Sequence, residues 1–129
     1  MTVILDTHVL VWMTVAPKRL SPPATRAITG ADEIAVAAIT WWEIAWLARH
    51  GRLTTSVPAR AWITDLARDL RTLPLTPAIA QTAADLPALF PRDPVDRLIY
   101  ATAVEHGCRL VTKDGLLHEH DPEGRVVVW

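Results

Sequence analysis

Cysteine is almost absent from this chain, its charges nearly cancel, and it contains no long apolar run. The 129 residues include one cysteine, Cys108. A lone thiol excludes an internal disulfide and any metal site built on several thiolates, and it suits a reducing compartment. Lys and Arg number 13 against 14 Asp and Glu, a formal net charge of −1. No global field therefore draws the protein toward nucleic acid; a nucleic-acid binder of this charge would rely on a local basic patch or on a metal. No stretch approaches the ~20 apolar residues of a membrane span. The opening Met1-Thr2-Val3-Ile4-Leu5 carries no cationic leader and runs into Asp6, which argues against a signal peptide and for a soluble cytoplasmic protein. Internal repeats and low-complexity linkers are also missing.

What is present is a strongly hydrophobic composition, 50% against 21% charged. That balance predicts one domain over residues 1–129 around a single core. Thr2–Leu5, Ile34–Ala37, Arg109–Thr112 and Val126–Val128 read as short buried strands, and Leu73-Pro74-Leu75 as a short extended piece at a strand end or sheet edge. Between them lie predicted helices: His8–Val15; Ser21 to about Thr29; Thr40, as cap, to about His50; Pro58 to about Leu70; Pro77 to Leu86; and Asp93 to Gly107. The last is marked at both ends, by Asp93 as N-cap, Pro94 at the first position and Gly107 as a left-handed C-cap. Strands alternating with helices at this spacing predict an α/β fold of three layers, α/β/α, around a mainly parallel sheet.

That topology places four acids. In a parallel α/β sheet, the C-terminal strand ends and the N-termini of the returning helices share the edge where ligands bind. Asp6 ends the first strand, Glu43 lies in the first turn after the second, Asp96 lies in the first turn of the Asp93–Gly107 helix, and Asp114 follows the Arg109–Thr112 strand. Each has an ordinary structural explanation: a capping box for Thr40-Trp41-Trp42-Glu43, a turn for Asp114-Gly115, a cap for Asp6, and the helix dipole for Asp96. Jointly those explanations weaken, because four carboxylates in one cleft repel unless a cation neutralises them. An all-oxygen set suits Mg²⁺ or Mn²⁺ rather than zinc.

Val3-Ile4-Leu5-Asp6-Thr7-His8, Thr40-Trp41-Trp42-Glu43-Ile44, Asp93-Pro94-Val95-Asp96-Arg97-Leu98-Ile99 and Leu110-Val111-Thr112-Lys113-Asp114 resemble, in order and spacing, the motifs of PIN-domain ribonucleases. The likeness extends over essentially the whole chain and is strongest to the VapC toxins of VapBC toxin–antitoxin pairs. It implies a PIN-like fold and an acidic quartet of Asp6, Glu43, Asp96 and Asp114. It further implies Mg²⁺- or Mn²⁺-dependent hydrolysis of RNA phosphodiesters, a homodimer, and inhibition by a VapB-type antitoxin. Asp6 and Asp96 are expected to be the principal metal ligands. Asp114 and Glu43 would complete the outer positions, hold a second ion or orient the attacking water. Asp93 is expected to cap its helix and support the site, and Thr7 and Thr112 to assist.

His118-Glu119-His120-Asp121 lacks the HExxH spacing and reads as a solvated turn. His8 is a candidate for substrate, packing or dimer contacts. Lys18, Arg19, Arg26, Arg49, Arg52 and Arg60 are candidate sources of local positive charge for RNA phosphates. Six tryptophans is a high count for this length; Trp42 and Trp46, one turn apart, fit an interface about as well as a core. Two rival functions share the acid-rich edge: a receiver-like phosphotransfer domain and a non-catalytic binding module of the same fold. The receiver would need paired acids after the first strand, where Asp6 stands alone. A dehalogenase-type phosphatase would need a second Asp where His8 stands.

Overall fold

Five short strands, all parallel, run through a computed structural model that describes residues 1–129. They are β1 (Thr2–Leu5), β2 (Glu33–Ala37), β3 (Arg71–Leu73), β4 (Arg109–Val111) and β5 (Val127–Val128), in the sheet order β3-β2-β1-β4-β5. The most apolar strand, β1, takes the centre, with Val3, Ile4 and Leu5 wholly buried. Alternate side chains of a strand point to opposite faces, and the two cores divide accordingly. Ile4 packs with Ile99, Tyr100, Phe90 and Leu110, whereas Val3 and Leu5 pack with Val9, Leu10, Ile44 and Val111. A strand buried on both faces needs no polar alternation, which is why these runs are continuously hydrophobic.

Helices cover both faces and make the three predicted layers. α1 (Thr7–Val15), α2 (Pro22–Thr29), α3 (Ala38–Arg49) and α4 (Ala59–Asp69) contribute to the core on one side. α6 (Pro94–His106) and α7 (Gly115–His120) pack on the other, and α5 (Pro77–Asp85) covers the outside of α6 through Ile79 and Ala83 against Ala101 and Leu98. A single 3-10 turn, Pro17–Arg19, joins α1 to α2. No helix is long and apolar enough to cross a membrane. Gly107 closes α6 at φ 62°, in the left-handed region expected of it.

Two local expectations need correction. Thr40 does not cap α3: β2 runs directly into the helix at Ala38, the extended Ala37 is the boundary, and Thr40 lies wholly buried inside the helix. The capping-box explanation of Glu43 therefore fails. Residues 118–120 are helical rather than a solvated turn, since Asp114 caps α7 and Leu117 anchors it in the core. The proline at 74 marks a strand end on a sheet edge, as expected: the edge strand β3 spans Arg71–Leu73 and stops just before Pro74, which has no N–H to extend the ladder.

Candidate metal centre

Asp6, Glu43, Asp93, Asp96 and Asp114 line one open cleft of about 430 Å³, together with His8, Val9, Trp12 and Lys113. The sheet explains the convergence. Leu5 of β1 pairs with Val111 of β4, and the Asp6 N–H donates to the Val111 carbonyl at 3.0 Å, so both strands end level. Asp6 sits at one end and Thr112-Lys113-Asp114 at the other. α6 descends from this edge to Gly107, and β4 climbs back to it, which brings Asp96 beside them.

Asp6 is the most constrained of the acids. It is 9% exposed. The Thr7 N–H donates to its Oδ1 at 2.6 Å, and the Thr112 hydroxyl donates to its Oδ2 at 2.6 Å. The capping and functional readings of Asp6 thus coincide: Oδ1 starts α1, while the whole carboxylate is held facing the cleft. The Thr112 hydroxyl also accepts from the Asp114 N–H at 3.1 Å, tying the two strand ends together. Thr7 binds Thr40 through their hydroxyls at 3.2 Å, which pins α1 to α3 beneath Glu43. Asp114 Oδ1 accepts from the Leu116 and Leu117 N–H groups, and Asp93 Oδ1 accepts from the Val95 N–H at 2.8 Å. Asp96 accepts no hydrogen bond from the protein, although it is half-buried.

The electrostatics report the crowding. Burial, followed by the charges of Asp6, Asp93, Asp114 and Glu43, pushes the Asp96 carboxyl up to about 7. Burial also raises Asp6, opposed by the Thr112 hydroxyl, His8 and the Thr7 N–H. Glu43 is raised chiefly by burial and then by Asp6, with Thr7 opposing. A cluster whose members penalise one another's charge is stabilised by a cation placed among them. The acids offer oxygen donors only, with His8 beside them in the lining of the cleft. No three of the acids stand together as a ready-made ligand set; Mg²⁺ keeps several waters and is commonly bound through one or two protein carboxylates.

A larger groove of about 660 Å³ adjoins the acidic cleft and shares His8, Glu43 and Asp93 with it. Its walls are apolar, formed by Ile39, Trp42, Trp46, Leu47, Val95 and Leu98, with Arg52 at the side. Trp42 is 54% exposed and Trp46 37%. Trp46 stacks on His50, with ring centroids 4.1 Å apart. The other tryptophans differ: Trp41 donates to the Thr72 hydroxyl at 2.9 Å, and Trp62 packs against the core. Two contributors went unnoticed in the sequence. Arg97, next to Asp96, donates to the carbonyls of Pro91, Ala83, Leu86 and Pro87 and so fixes the chain that leads into α6. Lys113 enters the acidic cleft itself. His118 contributes from outside the cleft, its Nε2 2.7 Å from the Thr112 carbonyl.

A parallel sheet whose C-terminal edge gathers carboxylates around an open cleft defines a class of acid-rimmed α/β proteins suited to a hard divalent cation. Comparison with known proteins narrows the class. The chain belongs to the PIN domain family, whose pattern matches residues 3–121. It is 53% identical over 128 residues to Ribonuclease VapC22 of Mycobacterium tuberculosis, covering 99% of this chain and 98% of that protein. Two solved structures share the fold at low identity. VapBC2 from Rickettsia felis, bound to a DNA fragment from its promoter, superposes at a TM-score of 0.71 with 14% identity, covering 99% of this chain and 98% of that one. VapBC-1 from nontypeable Haemophilus influenzae superposes at 0.69 with 16% identity, covering 95% and 94%.

Proposed function

We propose that this protein is a VapC-type endoribonuclease that hydrolyses RNA phosphodiester bonds with Mg²⁺ or Mn²⁺ and is held inactive by a VapB-type antitoxin. The observation that carries the reading is the convergence of Asp6, Glu43, Asp96 and Asp114 on one cleft, where burial and the neighbouring acids raise Asp96, in a chain 53% identical to a named VapC ribonuclease. Asp6 and Asp96 are the principal metal ligands in this reading, and Asp114 and Glu43 complete the outer positions or orient the attacking water. Mg²⁺ bound there would polarise the phosphoryl oxygen and lower the pKa of water. The chain's own residues do the rest. Thr112 and the Thr7 N–H fix the Asp6 carboxylate, so that its orientation is paid for on folding. Asp96, with no internal donor, keeps its oxygens available. Glu43 lines the same cleft as the half-buried acid able to hold or pass a proton at its carboxylate.

The apolar groove beside the cleft supports a protein partner: a segment lying along Trp42 and Trp46 would cover the mouth that Glu43, His8 and Asp93 share. The same reading includes a homodimer, a single domain over residues 1–129 and a cytoplasmic location. The activity test is incubation of single-stranded and structured RNAs with Mg²⁺, with and without EDTA, with phosphorylation from acetyl phosphate followed in parallel. Metal-dependent cuts that disappear in Asp6→Asn and Asp96→Asn proteins of native fold support the assignment. Cleavage undiminished by both substitutions would refute it.

A further inference from the structure

A second chemical feature stands at the rim of the acidic cleft. Trp12 lies on α1 and lines the cleft with Asp6, six residues earlier; at ~1.5 Å rise per residue it stands roughly 9 Å along the helix from that acid. Trp129, just past β5, packs against it at 5.7 Å between centroids, with the rings inclined at 58°. Two cations converge on these rings. The Arg19 guanidinium lies 4.5 Å from the Trp12 centroid, and the Lys113 ammonium lies 5.8 Å from Trp12 and 6.0 Å from Trp129. Both cations are exposed. The ion pairs of the protein use Arg68, Arg71, Arg125 and the amino terminus. Lys113 and Arg19 have no carboxylate within ion-pair distance, although Lys113 enters a cleft lined by five acids.

We infer that Trp12, Trp129, Lys113 and Arg19 form a subsite for one single-stranded nucleotide of the RNA, next to the phosphate positioned at the carboxylates. The subsite rests on the ribonuclease reading and extends it from the reaction to how substrate is held. Its components are the two that single-stranded nucleic acid requires: an aromatic platform for a base and cations for its phosphate. Lys113 and Arg19 are long and flexible, and their weak hold on the indole is exchangeable. Turning outward to a phosphate, they uncover the ring for a base. With a net charge of −1 the protein has no global attraction for a polyanion, and a local basic feature offsets the repulsion of the acidic cleft. A base must leave its duplex to reach the platform, so the subsite selects unpaired RNA.

The test measures affinity apart from cleavage. A fluorescein-labelled single-stranded RNA decamer is titrated with protein in EDTA and followed by anisotropy at several salt concentrations. Trp12→Leu is expected to weaken binding about ten-fold or more, and Trp12→Phe to retain most of the affinity. Arg19→Gln and Lys113→Gln, both at exposed positions, are each expected to reduce the salt slope by about 0.7. Wild-type affinity and slope in Trp12→Leu and Arg19→Gln would overturn the subsite, as would equal affinity for a duplex of the same sequence. Cleavage of the decamer in Mg²⁺ is recorded alongside. Cleavage by the wild type with unchanged binding in the variants removes the subsite and leaves the ribonuclease standing. Variant-dependent binding without cleavage supports the subsite and removes the ribonuclease.

Discussion

Replacing Thr112 with valine keeps the size and branching of a wholly buried side chain and removes one oxygen. That oxygen donates to Asp6 Oδ2 at 2.6 Å and accepts from the Asp114 N–H at 3.1 Å, so one substitution unties both strand ends. A hydrogen bond to a charged group is worth about 1.5–3 kcal/mol net. With about 2.1 cal/mol/K of unfolding entropy per residue and 129 residues, that loss corresponds to a fall in Tm of about 6–11 °C. The functional effect follows from the same bond. The Thr112 hydroxyl opposes the burial that raises Asp6, so its removal raises Asp6 further and weakens binding of a divalent cation at neutral pH. Calorimetry of Thr112→Val with and without Mn²⁺ measures both consequences, and Thr112→Ser, which restores the hydroxyl, should recover both. Wild-type Tm and metal affinity in Thr112→Val would refute the reasoning.

Further outcomes follow from the same geometry. Asp96→Asn removes a half-buried charge surrounded by four acids, so the metal-free protein should melt at a higher temperature than wild type at pH 8, with no gain near pH 3; equal melting at both pH values contradicts this. The metal-free wild type should lose stability as pH rises from about 4 through about 7. The sign follows from Asp96, whose native carboxyl binds a proton that the unfolded chain has released over that range. Added Mg²⁺ should offset the loss above pH 7, which a pair of thermal scans across pH will check. Arg97→Met abandons four carbonyl oxygens between residues 83 and 91 and should cost about 2–4 kcal/mol in urea unfolding; a cost within 0.5 kcal/mol, roughly that of a neutral surface change, would show that those bonds do not anchor the chain entering α6.

The features legible in the sequence were those that depend on local chemistry and on chain direction. β1 was readable because Val3, Ile4 and Leu5 are all apolar, and α6 because Asp93, Pro94 and Gly107 mark its ends. Parallel topology then required Asp6, Asp96 and Asp114 to share an edge, and they line one cleft. Features that depend on the approach of distant segments were not legible. Thr40 has the spacing of a capping box, but its hydroxyl meets Thr7, 33 residues away, because β2 enters α3 without a loop. α7 is too short for periodicity to reveal, and its cap, Asp114, resembles an ordinary turn residue before glycine. Arg97 had no role legible in the sequence, because carbonyl acceptors leave no mark there. Lys113 and Trp129 meet Trp12 only through the pairing of β4 with β5.

Asp6, Glu43, Asp96 and Asp114 are proposed to hold a divalent cation together. The most direct measurement is a titration of the purified protein with Mn²⁺, following the free ion by electron paramagnetic resonance, for wild type and for Asp6→Asn, Asp96→Asn and Asp114→Asn. The expected result is Mn²⁺ binding by wild type that Mg²⁺ displaces, lost in Asp6→Asn and Asp96→Asn and weakened in Asp114→Asn, with native circular dichroism in all four proteins. Wild-type affinity in Asp6→Asn and Asp96→Asn, or no Mn²⁺ binding by the folded wild type, would contradict it.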